Sequence, residues 1–183
     1  MVTSSPMSTQ RGTTMIEVLV TMVILAFGLL GLAGLQSRLQ VSEMESYQRA
    51  QALVLLEDMA NRIVTNRSAA ASYVTSSPLG AGMTCPTDTS TVQKVDVKEW
   101  CNVLQGAAET SGSSKVGAMI GGRGCVESTV ANEYLVTVAW QGLASISAPP
   151  VSVTCGQNSY DGGACTNDRC RRAITTIVRI GTL

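Results

Sequence analysis

From Val18 to Leu35 the chain carries no charged residue, so a helix over this stretch is apolar all round. At about 1.5 Å rise per residue, a helix over Met15–Leu35 covers roughly 32 Å, enough to cross the hydrocarbon core of a bilayer. The helical pattern continues beyond it. Apolar or small residues recur at Val41, Met44, Tyr47, Ala50, Leu53, Val54, Met59, Ala60 and Ile63, spaced three to four apart. Polar residues fill the gaps, among them Glu43, Glu45, Gln48, Arg49, Gln51, Glu57, Asp58 and Arg62. No proline or glycine interrupts the chain between Leu35 and Tyr73. One helix from Thr13 to about Val64, roughly 78 Å long, is predicted. Its second half has a single apolar stripe, which needs a partner surface. The rest of the chain or a coiled-coil partner would supply one.

Residues 66–84 thin out into small and turn-forming types (Asn66, Ser68, Ser77, Pro78, Gly80, Gly82), which ends the helix. The chain to about Gly117 reads as loop, with a short element of undetermined type at Val92–Trp100. Then Tyr134, Val136, Val138 and Trp140 alternate with Leu135, Thr137, Ala139 and Gln141, the period of a strand. Val151 and Val153 predict a second, shorter strand after Pro149-Pro150. Ile174, Val178 and Ile180 alternate with Thr175, Ile177 and Arg179 in a third. Sequential strands favour an antiparallel meander. The expected fold class is α+β: a long N-terminal helix packed against a small antiparallel sheet.

One acid breaks the apolar span. Glu17 follows Gly12-Thr13-Thr14-Met15-Ile16 and sits inside the start of the membrane-length helix. An ionised group near the centre of such a helix costs on the order of 3 kcal/mol, so it is rare there and usually functional. A glycine, a short gap and one acid in an apolar helix resemble the prepilin motif, and the chain is similar to type IV pilin-like subunits. The segments Ile16-Glu17-Val18-Leu19-Val20 and Gly28-Leu29-Leu30-Gly31-Leu32-Ala33-Gly34-Leu35-Gln36 look most like minor pilins of the PilV type. The resemblance covers about a fifth of the chain.

The resemblance implies a type IV pilin fold and cleavage by a prepilin peptidase between Gly12 and Thr13. It divides the chain into a leader (1–12), a transmembrane and assembly half-helix (13–35), an amphipathic half-helix (36–66) and a globular β-domain (67–183). It further implies possible N-methylation of Thr13 and a role for Glu17 in assembly. The implied location is the bacterial inner membrane, with the N-terminus cytoplasmic, and after assembly the pilus surface. The implied partners are the peptidase, other minor pilins and the major pilin, the inner-membrane assembly platform and a tip adhesin. Two positions depart from the family pattern. Thr13 stands where phenylalanine usually begins the mature chain, and Gly34 stands where many major pilins have a helix-bending proline. Glycines at 28, 31 and 34 weaken helix by roughly 1 kcal/mol each relative to alanine. Local melting and a tight-packing helix face both stay open there.

Rival readings of the N-terminus are an ordinary secretory signal cleaved after Ala33 and an uncleaved single-span anchor. Glu17 within the apolar region counts against the former. The functional alternatives to a minor pilin are a minor pseudopilin of type II secretion and a membrane-anchored, disulfide-stapled adhesin or ligand-binding module.

Composition narrows the chemistry. With 13 basic and 13 acidic residues, no net charge draws the chain to nucleic acid. Six cysteines, Cys85, Cys101, Cys125, Cys155, Cys165 and Cys170, all follow the span, which predicts three disulfides in an oxidising compartment. Fifteen pairings are possible. Cys85–Cys101 is favoured locally because it closes a loop of turn-forming residues. The chain has no histidine and no CxxC pair, so no metal site, cofactor or imidazole-based nucleophile is expected. The acids Asp96, Glu99, Glu127 and Asp161 form no recognisable paired motif. Gly121-Gly122-Arg123-Gly124 and Asp161-Gly162-Gly163 read as turns rather than phosphate or calcium loops. Arg169, Arg171, Arg172 and Arg179 read as charges guarding a strand edge rather than a DNA site. Asn66-Arg67-Ser68 is a formal sequon of little weight.

Overall fold

A computed structural model of the chain describes residues 12, 14–107, 110–112, 114–115, 117 and 119–181. The expected leader residues 1–11 and the expected mature N-terminus, Thr13, lie outside the described residues. Helix α1 runs over Met15–Thr65, and a 3-10 turn over Arg67–Tyr73 follows it. Then come β1 (Leu79–Gly80), α2 (Val92–Leu104), β2 (Thr110–Ser111), β3 (Ser114–Lys115), β4 (Arg123–Val130), β5 (Glu133–Gln141) and β6 (Arg171–Arg179). By its internal contacts the chain divides into two compact units, Met1–Ser42 and Glu43–Leu183.

The first unit is helix wherever it is described from Met15 onward. It stays helical through Gly28, Gly31 and Gly34, with no melted turn. Its large apolar side chains are exposed throughout, from Met15 to Val41.

The second unit is an α+β structure of the pilin-like kind. Its four-stranded antiparallel sheet has the order β1-β4-β5-β6. The β4–β5 hairpin closes through Ala131-Asn132, and Asn132 adopts φ 62°, a backbone state that asparagine tolerates better than most residues. One sheet face carries Val126, Val136, Val138 and Val178 against Ala52, Leu56, Met59 and Ile63 of α1 and Trp100 and Leu104 of α2, all in one buried cluster. The Trp100 indole N–H donates to the Leu55 carbonyl at 2.9 Å, tying α2 to α1. Gly124 lies under the Trp100 ring, and any Cβ there would collide with it. The other sheet face buries Cys125 and Thr137 beneath the long β5–β6 connection, residues 142–170.

Four sequence expectations are corrected. The buried stripe of α1 is Gln48, Ala52, Leu56, Met59 and Ile63, while Met44, Tyr47, Leu53 and Val54 are exposed. The second half of this helix is apolar on more than one side, so spacing alone does not reveal which side meets the sheet. Val151–Val153 is a turn, closed by Val153 N–H donating to the Pro150 carbonyl at 3.0 Å, and Val151 is 87% exposed. Val92–Trp100 belongs to a helix ending at Leu104, started by the Thr91 hydroxyl accepting from Lys94 N–H at 3.3 Å. The region after Gly121 supplies strand β4 in addition to the expected turn.

Candidate functional site

The candidate site from sequence is the start of α1. Gly12 and Thr14 are exposed and non-helical, and the Thr14 carbonyl accepts from Glu17 N–H at 3.0 Å and Val18 N–H at 3.3 Å. Glu17 therefore falls in the first helical turn, where a negative charge complements the helix dipole. It is exposed, and among the described residues it has no ion-pair partner. Downstream, Thr21 turns its hydroxyl back onto the Val18 carbonyl at 2.8 Å, which hides the one polar side chain between Val18 and Leu35 within the helix. This is the one helix among the described residues that is long and apolar enough to cross a membrane.

The six cysteines form three disulfides: Cys85–Cys101, Cys125–Cys155 and Cys165–Cys170. The first fastens the loop after β1 to α2. The second fastens β4 to the 142–170 connection, and the third closes the end of that connection just before β6. Among the described residues no group of three or more acids or cysteines could hold a metal ion. Asp161 accepts from Asp168 N–H at 2.9 Å, and Gly162 pairs with Cys165, so the Asp-Gly-Gly segment is a turn.

The arginines expected along a strand edge are mostly structural. Arg171 is 1% exposed; its guanidinium donates to the Val153 carbonyl at 2.7 Å and the Cys155 carbonyl at 3.1 Å and pairs with Asp168 at 3.1 Å. Arg172 pairs with Glu45, and Arg179 with Glu133. Among the described residues, Arg169 alone of the four has no carboxylate partner; its guanidinium donates to the Ile146 carbonyl at 3.2 Å. Asn66 of the sequon donates its amide to Tyr73 at 3.1 Å.

Sequence reasoning missed two polar clusters. Arg62 near the end of α1 holds Asp58 at 3.0 Å, Asp96 at 2.7 Å and Glu99 at 2.9 Å. Burial alone would lower its pKa, but these carboxylates overcome that and raise it. Asp96 also accepts from the Tyr73 hydroxyl, and Tyr73 is pushed up to about 12 by burial and by that bond. Asp96 and Glu99, one turn apart on α2, thus work as a pair through a cation on another element.

The second cluster is a clamp. One Glu45 carboxylate oxygen accepts from the backbone N–H of Leu143 at 2.8 Å and of Ala144 at 3.3 Å, and the carboxylate pairs with Arg172 at 3.1 Å. Burial opposes the charge on Glu45, yet the Arg172 bond and the two backbone donors outweigh it and lower the pKa below its usual 4.5. A depressed folded pKa contributes stability that is fully present above the ordinary value and lost as pH falls through the folded one. Glu45→Gln should therefore lower stability by about 2 kcal/mol at neutral pH, the scale of charge-assisted bonds. The gap between the two proteins should narrow as thermal melts are taken below pH 4.5. A gap that does not change between pH 7 and pH 3 would contradict the clamp.

Compared with known proteins, residues 7–33 match the family model described as the prokaryotic N-terminal methylation motif. No curated protein and no solved structure matches the chain. The match covers the expected cleavage position, Glu17 and most of the apolar run, and it supports a type IV pilin-like or pseudopilin-like protein whose N-terminus is similar to that of prepilins.

Proposed function

We propose that the chain is a structural subunit of the type IV pilin class, and within it a minor pilin of the PilV type that helps initiate pilus assembly at or near the filament tip. The observation that carries this reading is the methylation motif at 7–33 continuing into a helix whose apolar residues are exposed from Met15 to Val41 around the single acid Glu17. Such a surface has two chemically suitable surroundings, lipid before assembly and a bundle of like helices after it.

In this mechanism a prepilin peptidase cuts between Gly12 and Thr13 and frees a cationic α-amine at Thr13, the candidate for methylation. The subunit waits in the bacterial inner membrane, with the disulfide-stapled β-domain on the oxidising side. Assembly transfers the apolar half-helix into a core of neighbouring helices, other minor pilins and the major pilin among them. There Glu17 meets the α-amine of an adjacent subunit. Once buried, a charge without its partner costs about 3–5 kcal/mol, so the pair sets stagger and register. In the second unit, Met44, Leu53 and Val54 of α1 are also exposed and available to neighbours. This chain itself catalyses no step in the mechanism.

Gly12→Val tests the reading. The variant should accumulate uncleaved in the inner membrane and be missing from purified filaments, while the natural chain co-purifies with them. Cofractionation of the natural chain with type II secretion components would assign it to the pseudopilins instead. A processed chain that stays monomeric in membranes would refute polymerisation.

A further inference from the structure

The free edge of β6 carries an interaction surface of its own. Ile180 N–H donates to the Asn132 carbonyl at 2.9 Å, and Gly142 N–H to the Cys170 carbonyl at 2.8 Å. Together with the antiparallel register, these bonds make the even-numbered residues of β6 the ones hydrogen-bonded to β5. The N–H and C=O groups of Ala173, Thr175 and Ile177 therefore point away from the sheet. No hydrogen bond among the described residues engages them. Natural edges are usually guarded by charge, proline, a bulge or a covering segment. Residues 173–178, Ala-Ile-Thr-Thr-Ile-Val, have no charge and no proline, pair with β5 without a bulge, and leave Ile177 50% exposed.

One end of this edge opens into a cleft of about 230 Å³ lined by Glu45, Arg49, Trp140, Ile146, Arg172 and the first residues of the edge. Glu45 and Arg172 neutralise each other, whereas Arg49 has no ion pair among the described residues. Arg169, bonded to the Ile146 carbonyl, adds a second cation without a carboxylate. Trp140, 3% exposed, forms the apolar floor. The cleft thus has surplus positive charge and an apolar wall.

We propose that β6 accepts an added strand from a different protein: an extended segment with alternating β-branched residues that ends in a carboxylate. Its backbone pairs with Ala173, Thr175 and Ile177, and its carboxylate sits in the cleft against Arg49. A second copy of this chain fits poorly. Antiparallel pairing of two β6 strands would bring the Arg179 end of one copy to the Arg172 end of the other and supply no anion for Arg49. The site does not depend on incorporation into a filament.

The test uses the full chain in detergent and the synthetic peptide acetyl-Thr-Val-Thr-Val-Thr-Asp, with a Lys-ending amide as control. The acidic peptide should bind saturably and slow hydrogen exchange at the Thr175 and Ile177 amides. Thr175→Pro removes an N–H that bonds nothing among the described residues, so β5 exchange should stay intact while affinity falls about fivefold or more. Arg49→Glu, on an exposed helix surface, should weaken the acidic peptide about tenfold, and the Lys-ending control should bind the natural chain comparably weakly. No saturable binding below about 1 mM, or binding indifferent to both substitutions, would overturn the proposal. So would self-association abolished by Thr175→Pro, which would make a second copy the occupant.

Discussion

Glu17→Val is expected to leave the chain processed and membrane-inserted while abolishing its incorporation into filaments. The substitution removes a charge from an apolar helix, so insertion should be unchanged or slightly easier. Glu17 is not needed to hold the helix start, because its backbone N–H and that of Val18 bond the Thr14 carbonyl in either variant. On the proposed mechanism, what is lost is the partner for a neighbour's α-amine once both are buried among helices. An orphaned charge there costs about 3–5 kcal/mol, a factor of roughly 10² to 10³ or more in incorporation. Surface piliation and motility should fail at normal membrane levels of the subunit. Normal piliation at normal levels would remove Glu17 from the mechanism.

Replacing Cys125 and Cys155 together by serine should give the largest stability loss of the three bridges. Their sequence separation is 30, against 16 for Cys85–Cys101 and 5 for Cys165–Cys170. Loop-closure entropy then assigns them about 3.5, 3 and 2 kcal/mol respectively. The Cys125–Cys155 bridge also holds the Cys155 carbonyl, with the Val153 carbonyl nearby, where the buried Arg171 guanidinium needs acceptors. Without it the 142–170 connection should exchange amide hydrogens rapidly while α1, β4 and β5 stay protected. Chemical denaturation of the three double-serine variants gives the order directly. In the natural chain, alkylation under non-reducing conditions should label no cysteine, and stoichiometric labelling of any pair would contradict the framework.

Features that rest on local pattern were legible in the sequence. An uninterrupted apolar run and the absence of proline or glycine from Leu35 to Tyr73 predict α1 to within two residues at each end. Strict alternation at Tyr134–Trp140 predicts β5, and the turn-rich loop favours Cys85–Cys101. Features that depend on a distant partner were hidden. β4 carries Gly124, Glu127 and Ser128, so it has no clean alternation; Gly124 makes sense only under the Trp100 ring. The buried face of α1 was hidden by Leu53 and Val54 on another side and by Gln48, a polar residue 1% exposed within the buried stripe. Glu45 looked like one more surface acid because Arg172 lies 127 residues away. Arg171 and Arg172 looked like edge guards because their acceptors lie in the disulfide-bound connection and on α1.

At the N-terminus the order is reversed. The spacing of Gly12 and Glu17 is a sequence signal, and the motif match at 7–33 supports it independently of any packing. The structure adds that the helix which follows leaves its apolar side chains exposed throughout the first unit. Mass spectrometry and Edman sequencing of the mature protein, purified from the membranes that export it, test this most directly. The account predicts a chain beginning at Thr13, with or without a methyl group on its amine. A chain beginning at Gly34 would establish ordinary signal-peptide removal and contradict the pilin reading, and one still beginning at Met1 would reduce α1 to an anchor.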